Sequence, residues 1–244
     1  MKMTKEQFTE NIIEFASKYN ISLNEEKANK FYEYKELLLE WNGKINLTAI
    51  TEDDDIMVKH FIDSLLCVNI IGENKNIVDV GTGAGFPGIV LAIYYDGKVD
   101  ITLVDALNKR INFLNLVIEK LGLKNIKAIH GRAEEVAHKE EYREGYDIAI
   151  ARAVAPLNVL LEYLSGYVKT NGQCICMKSV SVNDEMQNAQ KAIKELNLKL
   201  ISNNKIDIEY KEEILTRNIL VFKKNDVLKL KYPRMYAKIK KNPL

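Results

Sequence analysis

A glycine-rich turn between two apolar segments has the residue types and spacing in this sequence best suited to chemistry. The segment 77–80, apolar except for Asp79, is followed by glycines at positions 81, 83 and 85, and then by Pro87. Glycines at alternate positions let a backbone turn tightly and approach a ligand without interference from Cβ atoms. Proline suits the first position of a helix, whose free N–H groups then face that ligand. The segment is therefore predicted to bind a nucleotide.

Two nucleotides fit such a turn. Gly83, Gly85 and Gly88 match the G-x-G-x-x-G fingerprint of dinucleotide binding, for which NAD is the expected ligand. Gly81, Gly83 and Gly85 also match the G-x-G-x-G turn that binds S-adenosylmethionine, and Asp79 lies just before it. A carboxylate there would repel a pyrophosphate but would attract the cationic amino acid end of S-adenosylmethionine. Asp79 therefore favours S-adenosylmethionine.

Composition describes a globular chain with almost no net charge. It has 244 residues, 47% of them hydrophobic, with 35 Lys and Arg against 34 Asp and Glu. That length is enough for one substantial core, or for one core with a small appended element. The first residues lead into an amphipathic pattern rather than an apolar signal, and no apolar run approaches membrane-spanning length. A cytoplasmic protein without membrane contact is expected.

The cysteines do not have the spacing of a metal site. Cys174 and Cys176 form a C-x-C pair in an apolar run, and Cys67 stands alone. Zinc sites typically use paired C-x-x-C motifs instead. We expect buried thiols in a reducing compartment and no bound metal.

Two patterns divide the chain. Up to about residue 72, apolar residues recur at helical spacing, and capping-box pairs predict helix starts near Lys5, near Leu23 and after Thr51. From position 77, strands alternate with helices, and the predicted strands are 77–80, 101–105, 126–130, 147–151, 173–178, 199–209 and 218–223. Such alternation predicts a mostly parallel sheet with helices on both faces. The last two strands have no helix between them, which predicts an antiparallel hairpin at one edge.

Seven strands that end in such a hairpin resemble the Rossmann-like fold of the class I S-adenosylmethionine-dependent methyltransferases, an α/β architecture. A dehydrogenase-type sheet is not expected to end that way. We therefore expect an N-terminal helical extension at 1–72 packed on the core, a methyltransferase domain at 73–224 and a basic C-terminal tail at 225–244.

Ligands of such sheets bind at the carboxyl ends of the strands. At that edge, Asp105 is expected to bind the ribose diol, and Phe86 to pack on the sulfonium or the adenine. Ala133 and Glu134 follow the third strand and are expected to meet the adenine, and Arg152 directly follows the fourth. Structural alternatives stay open: a core position for Phe86, a helix start for Glu134, and a carboxylate partner in the core for Arg152.

Five motifs occur in the order and at the spacing of one known family. They are W-N-G-K-I-N-L-T at 41–48, H-F-I-D-S-L at 60–65, D-V-G-T-G-A-G-F-P-G at 79–88, K-R-I-N-F-L at 109–114 and A-R-A-V-A at 151–155. Together they resemble the bacterial small-subunit ribosomal RNA methyltransferase G family, also called glucose-inhibited division protein B. The resemblance extends from about residue 31 to residue 244.

The resemblance implies transfer of a methyl group from S-adenosylmethionine to N7 of one guanine in 16S rRNA, in the loop near the decoding region. It places cofactor contacts on Gly81, Phe86, Ala133, Glu134 and Arg152, to which the strand-end argument adds Asp79, Gly83, Gly85 and Asp105. Guanine N7 has a lone pair and no proton, so no general base is needed. Arg152, His60 and Asp63 are expected to position groups, although the last two could equally serve helix packing.

Cations and polar groups from three parts of the chain are the expected RNA contacts. They are Lys44, Asn46, Lys178, Arg234, Lys238, Lys240 and Lys241. The chain departs from the family at Ser179, which replaces a glycine, and in the tail at Met235, Ala237 and Ile239, which replace a lysine, a glycine and a proline. A monomer that acts on 16S rRNA or on the small ribosomal subunit is expected. The alternative is a class I methyltransferase that acts on a small molecule or a protein.

Overall fold

One sheet of seven strands runs through the protein, whose computed structural model describes residues 2–179 and 182–244. The strands are β1 (Asn76–Val80), β2 (Asp100–Asp105), β3 (Ile126–His130), β4 (Tyr146–Arg152), β5 (Val168–Lys178), β6 (Leu198–Tyr210) and β7 (Glu213–Lys224). Their order in the sheet is β3-β2-β1-β4-β5-β7-β6. The β2–β3, β1–β4 and β4–β5 pairs are parallel, whereas β7 is antiparallel to both β5 and β6. The predicted sheet and its antiparallel edge hairpin are confirmed.

Helices precede the sheet and alternate with its strands. They are α1 (Lys5–Ser17), α2 (Glu25–Ile45), α3 (Asp53–Ile56), a π-helical segment (Met57–Ile62), α4 (Asp63–Leu65), α5 (Val68–Ile71), α6 (Gly88–Tyr95), α7 (Asn108–Lys120), α8 (Ala133–Val136), α9 (Leu157–Ser165), α10 (Val182–Asn188), α11 (Gln190–Glu195) and α12 (Tyr236–Lys241). In the part of the chain that the structure describes, no helix is long and apolar enough to cross a membrane.

The chain packs into two compact units. Unit 1 comprises Met1–Lys75 and Thr82–His130, and unit 2 comprises Asn76–Gly81 and Gly131–Leu244. The helices α1 to α5 therefore belong to the same unit as most of the glycine turn and as the β2–β3 pair.

Capping explains where the first helices begin. Thr4 and Gln7 form the predicted capping box of α1, since each backbone N–H donates to the other side chain. The prediction from Ser22 was wrong, because Asn24 caps α2 by accepting from the N–H of Lys27 at 2.9 Å. Thr51 is not a cap either: α3 begins at Asp53 without a side-chain hydrogen bond to its first turn. The cap of α2 is thus the amide oxygen of Asn24, one residue before the helix, and not the hydroxyl of Ser22, three residues before it.

Two element boundaries in unit 2 also differ from the sequence prediction. The strand predicted to begin at Gln173 begins at Val168, because the N-terminal part of β5 continues the pairing with Tyr146 past a register shift. The helix expected between the fifth and sixth strands is two helices, α10 and α11, joined at Ala189. The cysteines are buried free thiols, as predicted, and burial raises the pKa of Cys174 to about 12.

Candidate functional site

The glycine turn has the backbone that its sequence predicts. Gly81, Gly83 and Gly85 have φ values of +71°, +63° and +105°, in the region that favours glycine. The N–H of Thr82 donates to the carbonyl of Val104 at 3.1 Å, which fastens the turn beside β2. Pro87 is the N-cap of α6 rather than its first residue, so the helix begins one position later than predicted.

The three glycines differ in what surrounds them. A Cβ on Gly85 would lie 2.5 Å from the side chain of Ile89, and one on Gly81 would lie 2.8 Å from the side chain of Val154. A Cβ on Gly83 would meet no atom of the described residues within 4 Å. Gly81 and Gly85 are therefore required by packing, whereas the open side of Gly83 leaves room for a ligand.

Asp105 is bound to this turn. Its Oδ2 accepts the N–H of Gly83 at 2.9 Å, and its Oδ1 accepts the N–H of Leu107 at 2.9 Å. Nη1 of Arg110 lies 3.3 Å from Oδ2, and the side chain is 4% exposed. The structure thus brings the predicted residues Gly83 and Asp105 together. Because a carboxylate offers about four acceptor sites, Asp105 retains capacity for a ribose hydroxyl.

Phe86 connects three of the sequence motifs within unit 1. Its ring stacks on the ring of His60, with centroids 4.5 Å apart and planes 16° apart. Nε2 of His60 lies 2.9 Å from Oγ1 of Thr48. The motifs at 41–48, 60–65 and 79–88 therefore meet at the glycine turn. His60 belongs to the π-helical segment, an irregularity that is frequent at functional sites.

The loop after α2 is shaped by two asparagines. Oδ1 of Asn42 accepts the N–H groups of Leu47 and Thr48 at 2.7 and 2.8 Å. Asn46 ends α2 in the left-handed region, with φ +52°. Lys44 is exposed and pairs with Glu40 one helical turn earlier at 2.7 Å. Asp63, a predicted positioning residue, is buried in α4.

Sequence reasoning missed Tyr34, which supports the glycine turn from α2. Its fully buried hydroxyl donates to the carbonyl oxygen of Ala84, and it occupies the space that a Cβ on Gly85 would need. In the sequence, Tyr34 is only one of the residues that recur at helical spacing in the first 72 positions. The signal was the residue type, because a buried tyrosine hydroxyl needs a hydrogen-bond partner.

In unit 2, the predicted residues lie where the strands end. Asp79 is fully buried on β1, in register with Ile150 of β4. Arg152 is the last residue of β4 and is half-buried. Ala153, the next residue, has φ +56°, a conformation that non-glycine residues rarely adopt and that concentrates at functional sites.

Glu134 is a buried acid with unused hydrogen-bonding capacity. Its side chain is 2% exposed, and Oε1 has no hydrogen-bond partner among the described residues. A buried acceptor without a donor costs about 1–3 kcal/mol, so it points to a ligand that supplies one. The preceding carbonyl, of Ala133, accepts the hydroxyl of Tyr167 at 2.6 Å, which anchors α8. Burial, with the nearby charge of Glu134, raises the pKa of Tyr163 to about 12.

Two of the predicted RNA contacts are bonded inside the protein. Nζ of Lys178 lies 2.6 Å from Glu185 and donates to the carbonyl of Ala155 at 2.7 Å. Nε and Nη2 of Arg234 bind both carboxylate oxygens of Glu162 at 2.8 and 2.7 Å. Both cations are thus paired with carboxylates within the protein, and their contacts with RNA stay predictions.

The other predicted contacts of the C-terminal tail remain at the surface. Lys238, Lys240 and Lys241 are exposed on α12, a short helix that the sequence analysis did not predict. Ile239 is buried between them, which explains why this basic segment is ordered.

Solved structures share this fold. YcgJ protein from Bacillus subtilis superimposes with a TM-score of 0.53 at 13% identity, over 68% of this chain and 100% of that chain. M. jannaschii TYW2 in complex with AdoMet gives a TM-score of 0.50 at 19% identity, over 64% of this chain and 71% of that one. The predicted class I methyltransferase fold is confirmed.

Sequence comparison narrows the assignment. A profile described as rRNA small subunit methyltransferase G matches residues 27–215. Ribosomal RNA small subunit methyltransferase G of Alkaliphilus metalliredigens is 45% identical over 224 residues, or 91% of this chain and 92% of that protein. Its namesake in Clostridium botulinum is 49% identical over 230 residues, or 92% and 94%. The residues matched by the profile include every motif quoted above, and these matches show that the chain belongs to the rRNA small subunit methyltransferase G family.

Proposed function

We propose that this enzyme transfers a methyl group from S-adenosylmethionine to N7 of one guanine in 16S rRNA, in the loop near the decoding region. The observation that carries the proposal is the glycine turn of a small-subunit rRNA methyltransferase, in which Gly83 is open on its outer side and Asp105 holds its N–H. When bound, S-adenosylmethionine supplies an electrophilic methyl group on a sulfonium.

Each part of this cofactor has a matching residue among those predicted from the sequence. Asp79 attracts the cationic amino group, the glycines at 81, 83 and 85 let the backbone approach, and Asp105 binds the ribose diol. Oε1 of Glu134, buried without a donor, suits the exocyclic amine of adenine, with Ala133 beside it. Phe86 and Arg152 then border the cofactor, the first by packing and the second by positioning.

Orientation accounts for the chemistry that these residues perform. The lone pair of N7 would attack the methyl carbon while the bond from that carbon to sulfur breaks and S-adenosylhomocysteine leaves, and no proton has to be removed from N7. Holding N7, the methyl carbon and the sulfur in line supplies on the order of 7–11 kcal/mol in favourable cases. The guanine becomes cationic, so nearby ring faces and carboxylates stabilise the transition state. We assign positioning roles to Arg152, His60 and Asp63.

The target guanine must be accessible on its Hoogsteen edge. In A-form RNA that edge lies in a deep, narrow groove, so the base is unpaired or splayed out when it reacts. Lys44 and Asn46 in unit 1, and the exposed lysines of α12 in unit 2, are the proposed phosphate and sugar contacts. The enzyme acts as a cytoplasmic monomer on 16S rRNA or the small subunit, which agrees with the absence of a membrane-spanning helix among the described residues.

Methyl transfer from labelled S-adenosylmethionine to small-subunit RNA, taken from cells that lack this protein, tests the proposal. Base-resolved mapping is expected to find a single N7-methylguanine, and Gly83→Ala is expected to slow its formation about tenfold when S-adenosylmethionine is limiting. Gly122→Ala is the matched control, because Gly122 also has positive φ (+58°) and no atom of the described residues lies within 4 Å of its Cβ position. Label on a small molecule or a protein instead of RNA would replace the proposal with the alternative substrate class.

A further inference from the structure

The short helix α12 presents an exposed tyrosine beneath two cations. The Tyr236 side chain is 42% exposed. The guanidinium carbon of Arg132 lies 5.0 Å from the centroid of its ring, and Nζ of Lys240 lies 5.9 Å from it. Stacking on the ring orients the guanidinium plane while its N–H edges stay available to a ligand.

This surface is held in place from inside unit 2. Ile239, three residues after Tyr236 in α12, is buried, and Glu162 binds Arg234 just before the helix. After the helix, the side-chain amide of Asn158 donates to the carbonyl of Leu244 at 3.0 Å. Both ends of the segment are thus anchored, so the Arg132–Tyr236 pair is pre-organised.

The pair lies close to residues assigned to the cofactor. Arg132 directly precedes Ala133 and Glu134 in the chain. Tyr236, Arg132 and Glu134 all influence the titration of the Tyr163 hydroxyl, so the four side chains share one neighbourhood of unit 2.

Charge on this surface is uncompensated. Within residues 2–179 and 182–244, no carboxylate lies within ion-pair distance of the four cations of the surface. These are Arg132, Lys238, Lys240 and Lys241. Arg234 in the same segment shows the contrast, because its guanidinium is spent on Glu162. The four cations are therefore available to a polyanion.

We propose that Arg132, Tyr236 and the lysines of α12 form a docking surface for an unpaired stretch of small-subunit rRNA, with one base stacked on the Arg132–Tyr236 pair and phosphates on the lysines. The inference rests on the proposed function and names where its substrate is held. Unpaired bases stack on aromatic rings and guanidinium planes, and phosphates pair with cations, so RNA uses every group of the surface. An acidic peptide would use only the charge.

Steady-state kinetics with small subunits from cells that lack this protein test the surface. Tyr236→Leu and Arg132→Ala are expected to raise the KM for subunits by about tenfold, the loss of one stacked base. Tyr236→Phe keeps the ring and is expected to match the wild type. The kcat and the Kd for S-adenosylmethionine are expected to stay unchanged, because the groups that bind the cofactor are intact.

A second cation–π pair provides the matched control. Nζ of Lys211 lies 4.8 Å from the centroid of the Tyr210 ring, but that ring is buried and offers no stacking surface. Lys211→Ala removes the same charge and is expected to leave the KM within about twofold of the wild type. Arg132→Lys tests stacking against charge: we expect it to restore the salt dependence of RNA binding but not the affinity.

Several results would overturn the surface. A wild-type KM for Tyr236→Leu would remove the stacked base, and recovery of full affinity by Arg132→Lys would reduce the surface to charge alone. An equal rise in the Kd for S-adenosylmethionine would show that the residues serve the cofactor. If the wild type methylated no rRNA, the proposed function would fail. The docking surface would then be tested by direct binding of 16S rRNA, and equal Kd values for the wild type and Tyr236→Leu would exclude it.

Discussion

The N-terminal helices and the C-terminal segment both lie outside the strands of the sheet, and each contains a buried ion pair. In unit 1, Lys35 lies 2.8 Å from Asp53, and in unit 2, Arg234 lies 2.7 Å from Glu162. In the N-terminal helices, the buried hydroxyl of Tyr34 points inward and holds the glycine turn. The C-terminal segment directs its remaining cations outward on α12.

A basic stretch of sequence therefore contains two kinds of cation, which differ in burial. Those that meet a buried carboxylate stabilise the fold, since an uncompensated buried charge is strongly unfavourable. Those that stay exposed gain little from folding and are available to a phosphate. Only their burial separates the two kinds, and the following variants test that separation.

The largest effect is expected for Arg234→Met. Glu162 is fully buried, so loss of its partner leaves an uncompensated charge that costs about 3–5 kcal/mol of stability. Urea unfolding measures the loss. Lys241→Met removes an exposed cation from the same segment and is expected to change stability by less than about 0.5 kcal/mol. Equal effects of the two variants would break the distinction between structural and available cations.

The next effect separates Gly85 from Gly83 in the turn that Tyr34 supports. Gly85→Ala places a methyl group against Ile89 and the Tyr34 hydroxyl at positive φ. The backbone strain alone costs about 1–3 kcal/mol of stability, and the clash is expected to add to that loss. Gly83→Ala has the strain without the clash. It is expected to be as stable as Gly122→Ala but to bind S-adenosylmethionine about tenfold more weakly, equivalent to about 1.4 kcal/mol. Calorimetric titration that found normal affinity for Gly83→Ala would show that the open side of this glycine does not face the cofactor.

A smaller effect is expected for Tyr34→Phe. It removes the donor to the Ala84 carbonyl and is expected to cost about 1 kcal/mol of stability, with weaker binding of S-adenosylmethionine because the turn relaxes. Tyr95→Phe is the matched control, since the Tyr95 hydroxyl is also buried and donates to a carbonyl, that of Val68, at 2.8 Å. We expect the two variants to lose similar amounts of stability. The Kd for S-adenosylmethionine is expected to rise for Tyr34→Phe and to stay unchanged for Tyr95→Phe. Unchanged Kd values for both would limit Tyr34 to a structural role.

The smallest effect concerns the pH dependence of two fully buried lysines. Burial lowers the pKa of Lys35, but its hydrogen bonds to Asp53 and Glu36, and their charges, raise it above 10.5 overall. Burial lowers the pKa of Lys224 below 10.5, with Glu144 only partly opposing it. The contribution of Lys35 to stability is therefore complete below pH 10.5 and is lost above it, whereas that of Lys224 increases as the pH approaches 10.5.

Urea unfolding of Lys35→Met and Lys224→Met, each against the wild type, measures these opposite slopes. The gap between wild type and Lys35→Met is expected to narrow as the pH rises past 10.5, and the gap for Lys224→Met to widen as the pH approaches it. Parallel slopes would show that the number of carboxylates around a buried lysine does not decide its behaviour here.

Most of the sheet and the backbone of the glycine turn could be predicted because their signals are local. Alternating apolar runs marked all seven strands, and three glycines at alternate positions marked the turn. The start of α2 was misplaced because Ser22 and Asn24 are both acceptable caps, and only the backbone decides between them. The cofactor assignments of Asp79 and Arg152 stay predictions.

Residue types at short and regular spacing were enough to predict the order of the elements, the glycine turn and the family. The folded structure was needed to show that Tyr34 bonds to the turn and that Tyr236 lies under Arg132. It was also needed to show that Arg234 and Lys178 pair with carboxylates inside the protein. Partners such as Arg132 and Tyr236 are far apart in the chain, so no local pattern connects them. The residue type of a lysine or arginine also does not indicate whether its side chain is buried or exposed. The cost of burying an unpaired charge, which sorts the cations, arises only when the chain has folded.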